Sequence, residues 1–328
     1  MLHSAPRPRH PPGGDDGGQG VTYGVSERRM GGAEWSMLGV LSLVWGGSFF
    51  FYKVLVQALP PFTVVLGRMA IAALALNLWL LARRERLPFD PRLWAGLLAA
   101  GVLNNALPFS CFAFSEVRIT SGLAAILNAT TPLFGVLVGA ALRAGAPLTP
   151  TRGVAVVLGL AGVVVLVGPS ALRGGGDLWS ELACLLAALS YAFGGFYARR
   201  FSWMGPLKLA AGQTTAAALV MTPIAALADR FWTLPQPDLP TWGALLGIGL
   251  LSTAFAYVLF FRILERVDPT DLMLVTFLVP ISALILGLLF LHEPIKPQAF
   301  AGMALIGLSL AAIDGRLIGW LRRVPKAA

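Results

Sequence analysis

The feature that most limits how this chain can fold is a succession of charge-free apolar windows. A bilayer core is about 30 Å thick, and a spanning helix needs roughly 20 predominantly apolar residues. Nine such windows occur, at 35–52, 93–115, 119–142, 153–172, 182–198, 209–228, 239–261, 272–291 and 297–313. A tenth, 62–82, is apolar except for Arg68. The sequence therefore predicts an all-α integral membrane protein with ten transmembrane helices.

The composition excludes the partners that a basic chain otherwise suggests. Hydrophobic residues make up 56% of the chain and charged residues 12%, about half of the roughly 25% that is usual for soluble domains. The net charge of +9 comes from Lys and Arg between the apolar windows, which membrane topology explains better than nucleic-acid binding does. We therefore expect contact with a lipid bilayer and with no nucleic acid.

Residues that bind metals or catalyse reactions are few and badly spaced for either role. Cys111 and Cys184 lie in separate apolar windows, without the spacing of a metal site or of a disulfide framework. The three histidines, His3, His10 and His292, form no H-E-x-x-H motif. We expect no catalytic residues, no metal and no cofactor.

The distribution of Lys and Arg predicts the orientation of the chain. With the N-terminus in the cytoplasm, nineteen of the 25 basic residues lie in cytoplasmic segments and five outside, and Arg68 lies within a predicted helix. This bias is typical of cytoplasmic loops. We expect a multi-pass protein of the cell membrane with both termini in the cytoplasm. A Pro- and Gly-rich tail at 1–30 is expected to be disordered, and 318–328 forms a basic tail. Translation from Met30 is an alternative that would remove the first tail.

An internal repeat relates the two halves of the chain. An offset of 148 residues pairs Trp94 with Trp242 and Pro132 with Pro280, and it pairs the two asparagines at 104–105 with Ser-Thr at 252–253. The repeats are predicted at 35–171 and 178–317, each with five helices. Because five is odd, the second repeat enters the membrane from the opposite side. Inverted repeats of this kind are typical of secondary transporters.

Four segments resemble a known transporter family. They are WGGSFFFYK at 45–53, LNATTPLFGVLVG at 127–139, GLLSTAFAYVLFFRIL at 249–264 and LVPISALILGLLFLHEP at 278–294. They are similar to EamA-type transporters of the drug/metabolite transporter superfamily. The resemblance implies ten helices in two inverted repeats, cytoplasmic termini and export of small metabolites or drugs. The chain departs from the family near Ala146, where the glutamate found at Glu293 in the second repeat has no counterpart.

Arg68 is the sharpest candidate for a functional residue. It lies six residues into the second predicted helix, where an uncompensated charge costs about 2.5–3.5 kcal/mol on insertion scales. We interpret it as a contact for an anion or carboxylate in a translocation cavity. The alternative is that its side chain extends to the membrane interface and pairs with Glu116.

A proline in the fourth predicted helix indicates a second candidate region. Pro132 removes a backbone hydrogen bond and leaves the carbonyl of Asn128 without its helical donor. That carbonyl, beside Asn128 and Thr131, could bind substrate. The alternative is a kink that the threonine hydroxyls repair. Thr276 and Pro280 are the counterparts in the second repeat.

Polar side chains inside apolar windows need partners within the bundle, so they complete the predicted cavity. The predicted substrate-binding residues are Arg68, Asn104, Asn105, Asn128, Thr131, Pro132, Gln213, Thr253, Tyr257, Thr276 and Pro280. The aromatic residues Trp45, Phe49 and Tyr191 are further candidates for its wall. The glycine pair Gly135 and Gly139 is instead typical of close helix packing.

Carboxylates are absent from the middle of every predicted helix. The acidic residues nearest to the helices, all close to helix ends, are Glu34, Glu116, Glu181, Asp229 and Glu293. The sequence therefore leaves the coupling of transport to protons open.

The repeat and the resemblance together predict a secondary transporter. We expect it to move a small-molecule substrate, an amino acid or a related compound, by alternating access, with export as the direction that the family implies. The alternatives are an efflux carrier for drugs or cationic compounds and, less favoured, a channel or an intramembrane enzyme. A homodimer stays an open alternative for the assembly.

Overall fold

The structure is a computed structural model that describes residues 31–144, 149–171, 177–267, 269–272 and 274–313. Within these residues the regular structure is entirely helical. The tail 1–30, the position near Ala146 and the tail 318–328 lie outside the described residues, so the expectations for them stay predictions.

Eight helices of the described residues are long and apolar enough to span a membrane, and two shorter apolar helices follow them. The helices, in chain order, are α1 Gly32–Leu55, α2 Pro61–Ala82, α3 Pro91–Glu116, α4 Ser121–Ala141, α5 Pro150–Ala171, α6 Asp177–Ala198, α7 Pro206–Ala228, α8 Leu239–Leu264, α9 Leu274–Phe290 and α10 Pro297–Ile313. The prediction of an all-α chain with membrane-spanning helices is confirmed.

Matching caps begin the third helix of each half. The Asp90 carboxylate accepts a hydrogen bond of 3.0 Å from the backbone N–H of Arg92 at the start of α3. The Asp238 carboxylate accepts one of 2.9 Å from the backbone N–H of Thr241 at the start of α8. Each bond satisfies an N–H that has no partner within the helix. The two aspartates are 148 residues apart, which extends the register of the internal repeat.

The helices pack in a pattern that the two halves share. α2 packs on α7, and α5 packs on α10. α1 contacts α8 and α9, while α6 contacts α3 and α4. Replacing each helix by the one five places away reproduces this set of contacts. The first helix of each half therefore packs against the third and fourth helices of the other half.

Two glycines allow α1 and α6 to lie close to these partners. A Cβ atom at Gly46 would lie 2.6 Å from Cβ of Ser282 and 2.9 Å from the carbonyl oxygen of Val279. A Cβ atom at Gly194 would overlap the side-chain amide of Asn104. Small residues let the backbones of membrane helices approach closely. Gly46 and Gly194 are again 148 residues apart, so the repeat extends to close packing.

Candidate functional site

A cavity of about 820 Å³ lies between the two halves. Nine of the eleven predicted site residues line it: Arg68, Asn104, Asn128, Thr131, Pro132, Gln213, Thr253, Tyr257 and Thr276. The cavity runs from Tyr52 and Phe109 inside the bundle to Arg152, Arg199 and Ile313, at the ends of α5, α6 and α10. Residues from both repeats therefore form one wall around one space.

The α3 and α8 helices widen to π-helix where they border the cavity. The π-helical stretches are Val102–Ala106 in α3 and Gly247–Phe255 in α8. They contain the polar pairs that the 148-residue offset had matched. A π-helical turn inside an α-helix is rare and frequently lies at a functional site. The sequence indicated the polar pairs but gave no sign of the altered backbone, because the hydropathy of the two stretches is ordinary.

Hydrogen bonds to neighbouring helices stabilise these two π-helical stretches. The Ser190 hydroxyl on α6 donates to the carbonyl of Leu103 at 2.8 Å, and the Ser252 hydroxyl donates to the carbonyl of Val44 on α1 at 2.8 Å. Thr253 donates to the carbonyl of its own helix five residues earlier, also at 2.8 Å. The π-helical stretches are therefore tied to α1 and α6, the helices that cross between the halves.

Arg68 is buried in the bundle, with 4% of the residue exposed. Its Nε donates to Thr253 Oγ1 at 2.9 Å, and its Nη1 donates to Ser48 Oγ at 2.9 Å. The guanidinium carbon lies 3.6 Å from the ring centroid of Phe109 and 5.1 Å from that of Tyr52. A guanidinium has five N–H groups, and these bonds use two of them. Arg68 is thus held in place with donors left over.

The alternative environment considered for Arg68 is wrong. The side chain is enclosed by α1, α2, α3 and α8 and does not extend to the surface of the bundle. It does not pair with Glu116, whose carboxyl oxygens have no hydrogen-bond partner among the described residues. Serine, threonine and aromatic groups, none of which neutralises it, therefore surround the guanidinium.

Two predicted residues lie outside the wall of the cavity. Asn105 is fully buried, and its Oδ1 accepts a hydrogen bond of 2.9 Å from the hydroxyl of Tyr257, which does line the cavity. Asn105 therefore positions a wall residue from behind, because adjacent residues of a helix do not share a face. Pro280 is buried within α9 and does not border the cavity.

The α4 helix is interrupted beside the cavity, as its proline predicts. Its two parts are Ser121–Asn128 and Thr131–Ala141. The carbonyl of Asn128 is not free, because the Thr131 hydroxyl donates to it at 2.7 Å. The expectation of a free carbonyl is therefore wrong, and the threonine hydroxyl repairs the kink. The side chains of Asn128 and Thr131 still face the cavity.

Aromatic rings form much of the remaining wall. Phe49 and Phe112 meet edge to face with centroids 5.3 Å apart, and the Trp45 and Phe260 centroids are 5.5 Å apart. Sequence reasoning missed Ser48 and Tyr52, and their spacing could have revealed them. Trp45, Ser48, Phe49 and Tyr52 recur at intervals of three and four residues, which places them on one face of α1.

The glycine pair of α4 also has a different role from the predicted one. Gly135 and Gly139 line the cavity, and a Cβ atom at Gly135 would meet no atom within 4 Å. The prediction of close helix packing at Gly135 is therefore wrong. The absence of a side chain here enlarges the cavity.

The charged side chains among the described residues of the cavity wall are basic. Three arginines, Arg68, Arg152 and Arg199, are among the described residues that line it, and no aspartate or glutamate is. Charges in a cleft with low-dielectric walls concentrate ligands of the opposite sign. The wall therefore suits a ligand that has an anionic group and a partly apolar body.

Where α1 and α3 end, hydrogen bonds join the helices through residues that do not line the cavity. Lys53 Nζ donates to the carbonyls of Glu116 and Ile119, both at 2.8 Å, and so holds the end of α3 against α1. The Glu293 carboxylate accepts from the backbone N–H of Ser121, at 3.0 and 3.1 Å, and from its hydroxyl, at 2.7 Å. We call these five residues the closed end.

Comparison with known proteins agrees with this architecture. The sequence model of the EamA-like transporter family matches residues 34–168 and 178–313. A transporter of Archaeoglobus fulgidus described as uncharacterized is 25% identical over 279 residues, which cover 84% of this chain and 97% of the relative. The uncharacterized inner membrane transporter YedA of Escherichia coli K12 is 27% identical over 255 residues, 76% of this chain and 80% of the relative.

Protein PecM of Dickeya dadantii is 28% identical over 278 residues, 83% of this chain and 89% of the relative. A crystal structure with 20% identity shares the fold, with a TM-score of 0.60 over 85% of this chain and 96% of that one. The family match covers both halves of the chain and accounts for the internal repeat. The chain belongs to the EamA-like transporter family and is a multi-pass membrane transporter.

Proposed function

We propose that the protein is a secondary carrier built from two inverted repeats of five spanning helices, at 35–171 and 178–317. The shared packing pattern, the matching caps and the paired π-helical stretches support this arrangement. Two halves of opposite orientation can alternate between states open to opposite sides of the membrane. Ten spans place both termini on one side, and the basic loops favour the cytoplasm of the cell membrane.

The substrate that the cavity fits best is a small metabolite with a carboxylate or another anionic group. The observation that carries this proposal is the buried guanidinium of Arg68 in the cavity wall, whose hydrogen-bond partners Ser48 and Thr253 are uncharged. Arg68 is fixed by Ser48 and Thr253 and keeps further N–H donors. A guanidinium binds carboxylate with strong, charge-assisted hydrogen bonds. The side-chain amide oxygens of Asn104, Asn128 and Gln213 would accept hydrogen bonds from an amino group, so we favour amino acids and related compounds.

The position of the cavity mouth supports export. The cavity reaches Arg152 and Arg199, which lie in segments that the charge distribution assigns to the cytoplasm. Substrate would therefore enter from the cytoplasm and leave after the closed end opens. The direction that the family resemblance implies is the same.

A second candidate function is efflux of flat organic cations. The aromatic wall of Trp45, Phe49, Phe112 and Phe260 supports it, because cations are attracted to the faces of aromatic rings. The buried guanidinium of Arg68 opposes it, because it repels a cation that enters the same space. Substitution of Arg68 separates the two functions, since it weakens transport of an anion and favours transport of a cation.

The experiment is an untargeted comparison of metabolites in culture medium. A knockout strain would express the wild type, Arg68→Ala or the matched control Arg262→Ala, which removes an exposed arginine of α8. An anionic or zwitterionic metabolite should accumulate with the wild type and the control and not with Arg68→Ala. Loss of one charged hydrogen-bond partner costs about 2 kcal/mol, or roughly 30-fold in affinity. Equal accumulation with all three proteins, at equal abundance in the membrane, would contradict the role of Arg68.

A further inference from the structure

Glu116 is a buried carboxyl group that the proposed function does not use. It is the last residue of α3, it is fully buried, and it does not border the cavity. Neither of its carboxyl oxygens has a hydrogen-bond partner among the described residues. Glu181 on α6 is also buried, but only one of its carboxyl oxygens is both fully buried and without a hydrogen-bond partner. Glu116 is therefore the less compensated of the two groups.

The charged neighbours of Glu116 are engaged elsewhere. Lys53 directs its ammonium to the main-chain carbonyls of Glu116 and Ile119, not to the carboxylate. Glu293 is bound to Ser121 and adds a second negative charge near Glu116. The titratable or charged groups around Glu116 are Tyr52 and Lys53 of α1, Arg68 of α2, Cys111 of α3, Glu181 and Cys184 of α6, and Glu293 after α9.

The surroundings decide the charge state of this group. An ionised carboxylate that is buried without hydrogen bonds is strongly disfavoured, and such a group takes up a proton instead. A neighbouring carboxylate acts in the same direction. Opening of the closed end would admit water to Glu116, and water stabilises the ionised form. Glu116 is therefore expected to be neutral when it is buried and ionised when water reaches it.

We propose that Glu116 is a proton-binding site that is loaded when the closed end is shut and empties when that end opens. One proton passes from water at that end to a carboxyl oxygen of Glu116 as the end shuts, and returns on opening. Opening rests on the proposed alternating access, whereas protonation of Glu116 in the shut state does not.

The sign of the pH dependence follows from the number of bound protons. The shut state holds one proton more than the open state, so acid favours the shut state and alkali the open state. The ratio of shut to open molecules should fall by at most about tenfold per pH unit. Removal of the titratable carboxyl group should abolish this dependence.

The first measurement is an infrared pH titration of the full-length protein in liposomes. The wild type should show the carbonyl stretch of a protonated carboxyl group at neutral pH. Glu116→Gln should lose the part of that band that belongs to Glu116, Glu116→Asp should keep it, and the matched control Glu181→Gln should keep the Glu116 part. A wild type without the band, or an identical band in the wild type and Glu116→Gln, would overturn the proposal.

The second measurement follows the closed end with a pair of spin labels. Cysteines at the exposed positions Arg118 and Gln298 would carry the labels, with the buried Cys111 and Cys184 replaced by alanine. The population with the longer distance should grow with pH in the wild type and in Glu181→Gln. In Glu116→Gln it should not change with pH, and an unchanged pH response there would overturn the coupling. A protonated Glu116 together with a distance that never changes would also overturn the coupling, and would count against alternating access itself.

Discussion

The two halves of the molecule share helix caps and glycine positions, and they differ in the polar side chains that line the cavity. Asp90 and Asp238 cap corresponding helices, and Gly46 and Gly194 lie at corresponding positions, although Gly46 contacts α9 and Gly194 contacts α3. The residue that matches the buried Arg68, at an offset of 145, is the uncharged Gln213. The repeated features build a scaffold with two similar halves. We propose that the unmatched arginine decides which substrates the cavity accepts.

The largest expected effect comes from making the two halves alike at this position. Arg68→Gln should reduce transport of an anionic substrate by roughly 30-fold or more, because about 2 kcal/mol of charged hydrogen bonding is lost. Gln213→Ala should cost less, because it removes neutral hydrogen bonds. Uptake and release of the identified metabolite by proteoliposomes would measure both variants.

Exchanging the residues at positions 68 and 213 tests whether the position of the arginine matters. Arg68→Gln combined with Gln213→Arg should not restore transport, because Ser48, Thr253 and the ring of Phe109 hold a guanidinium only at position 68. Restored transport by the double variant would show that a positive charge anywhere in the cavity is sufficient.

The next largest expected effect is a loss of stability when a glycine at a close helix contact is replaced by alanine. Gly46→Ala places a Cβ atom 2.6 Å from Ser282 and 2.9 Å from backbone atoms of α9, and such overpacking costs about 1–3 kcal/mol. Gly194→Ala should destabilise the protein similarly, through Asn104. The matched control is Gly135→Ala, which meets open space and should leave the Tm unchanged. Thermal unfolding in detergent is the measurement, and equal Tm values for Gly46→Ala and Gly135→Ala would contradict the packing.

The open space at Gly135 allows a separate test of the cavity. Gly135→Leu should reduce transport while the amount of folded protein stays the same, because the new side chain occupies volume that the substrate needs. The corresponding change at the solvent- or lipid-exposed Gly39, where a Cβ atom also meets open space, should leave transport intact. Full transport by Gly135→Leu would place the substrate path elsewhere.

The smallest expected effect is at the two aspartate caps. Asp90→Ala and Asp238→Ala should each lower the Tm slightly and by similar amounts, because each removes one hydrogen bond to a helix N-terminus. The hydrogen bonds from Thr241 hold the pKa of the Asp238 carboxyl below its usual value. The cap at α8 therefore stabilises the fold above the unfolded pKa, and this contribution is lost as the pH falls through the native pKa. A Tm difference between Asp238→Ala and the wild type that persists in strong acid would contradict this assignment.

The helices were predictable from sequence because the membrane imposes a simple requirement on each segment. A spanning helix needs a long apolar stretch, and each helix of the structure lies on such a stretch. The widened turns at Asn104 and Thr253 were not predictable in the same way. They depend on bonds from Ser190 and Ser252 to distant carbonyls, which are set by tertiary packing and leave no local pattern.

The candidate site was also predictable from the sequence only in part. Polar residues within apolar stretches had to face the interior, and most of those named from the sequence line the cavity. Adjacent residues of a helix do not share a face, and which of Asn104 and Asn105 lines the cavity depends on the rotation of α3 within the bundle, which the sequence does not show. Glu116 was regarded as a residue near a helix end, yet it is fully buried. Position along a helix indicates depth in the membrane, whereas burial depends on the neighbouring helices.

The central claim, that Arg68 receives an anionic group of the substrate, has a direct test with purified protein. Thermal unfolding would be followed with sets of compounds that share one skeleton and carry a carboxylate, a methyl ester or an amine in turn. Binding to the native state raises the Tm. Carboxylates should raise the Tm of the wild type and of Arg262→Ala, and not that of Arg68→Ala. Equal stabilisation by the esters or amines, or by carboxylates in Arg68→Ala, would contradict the account.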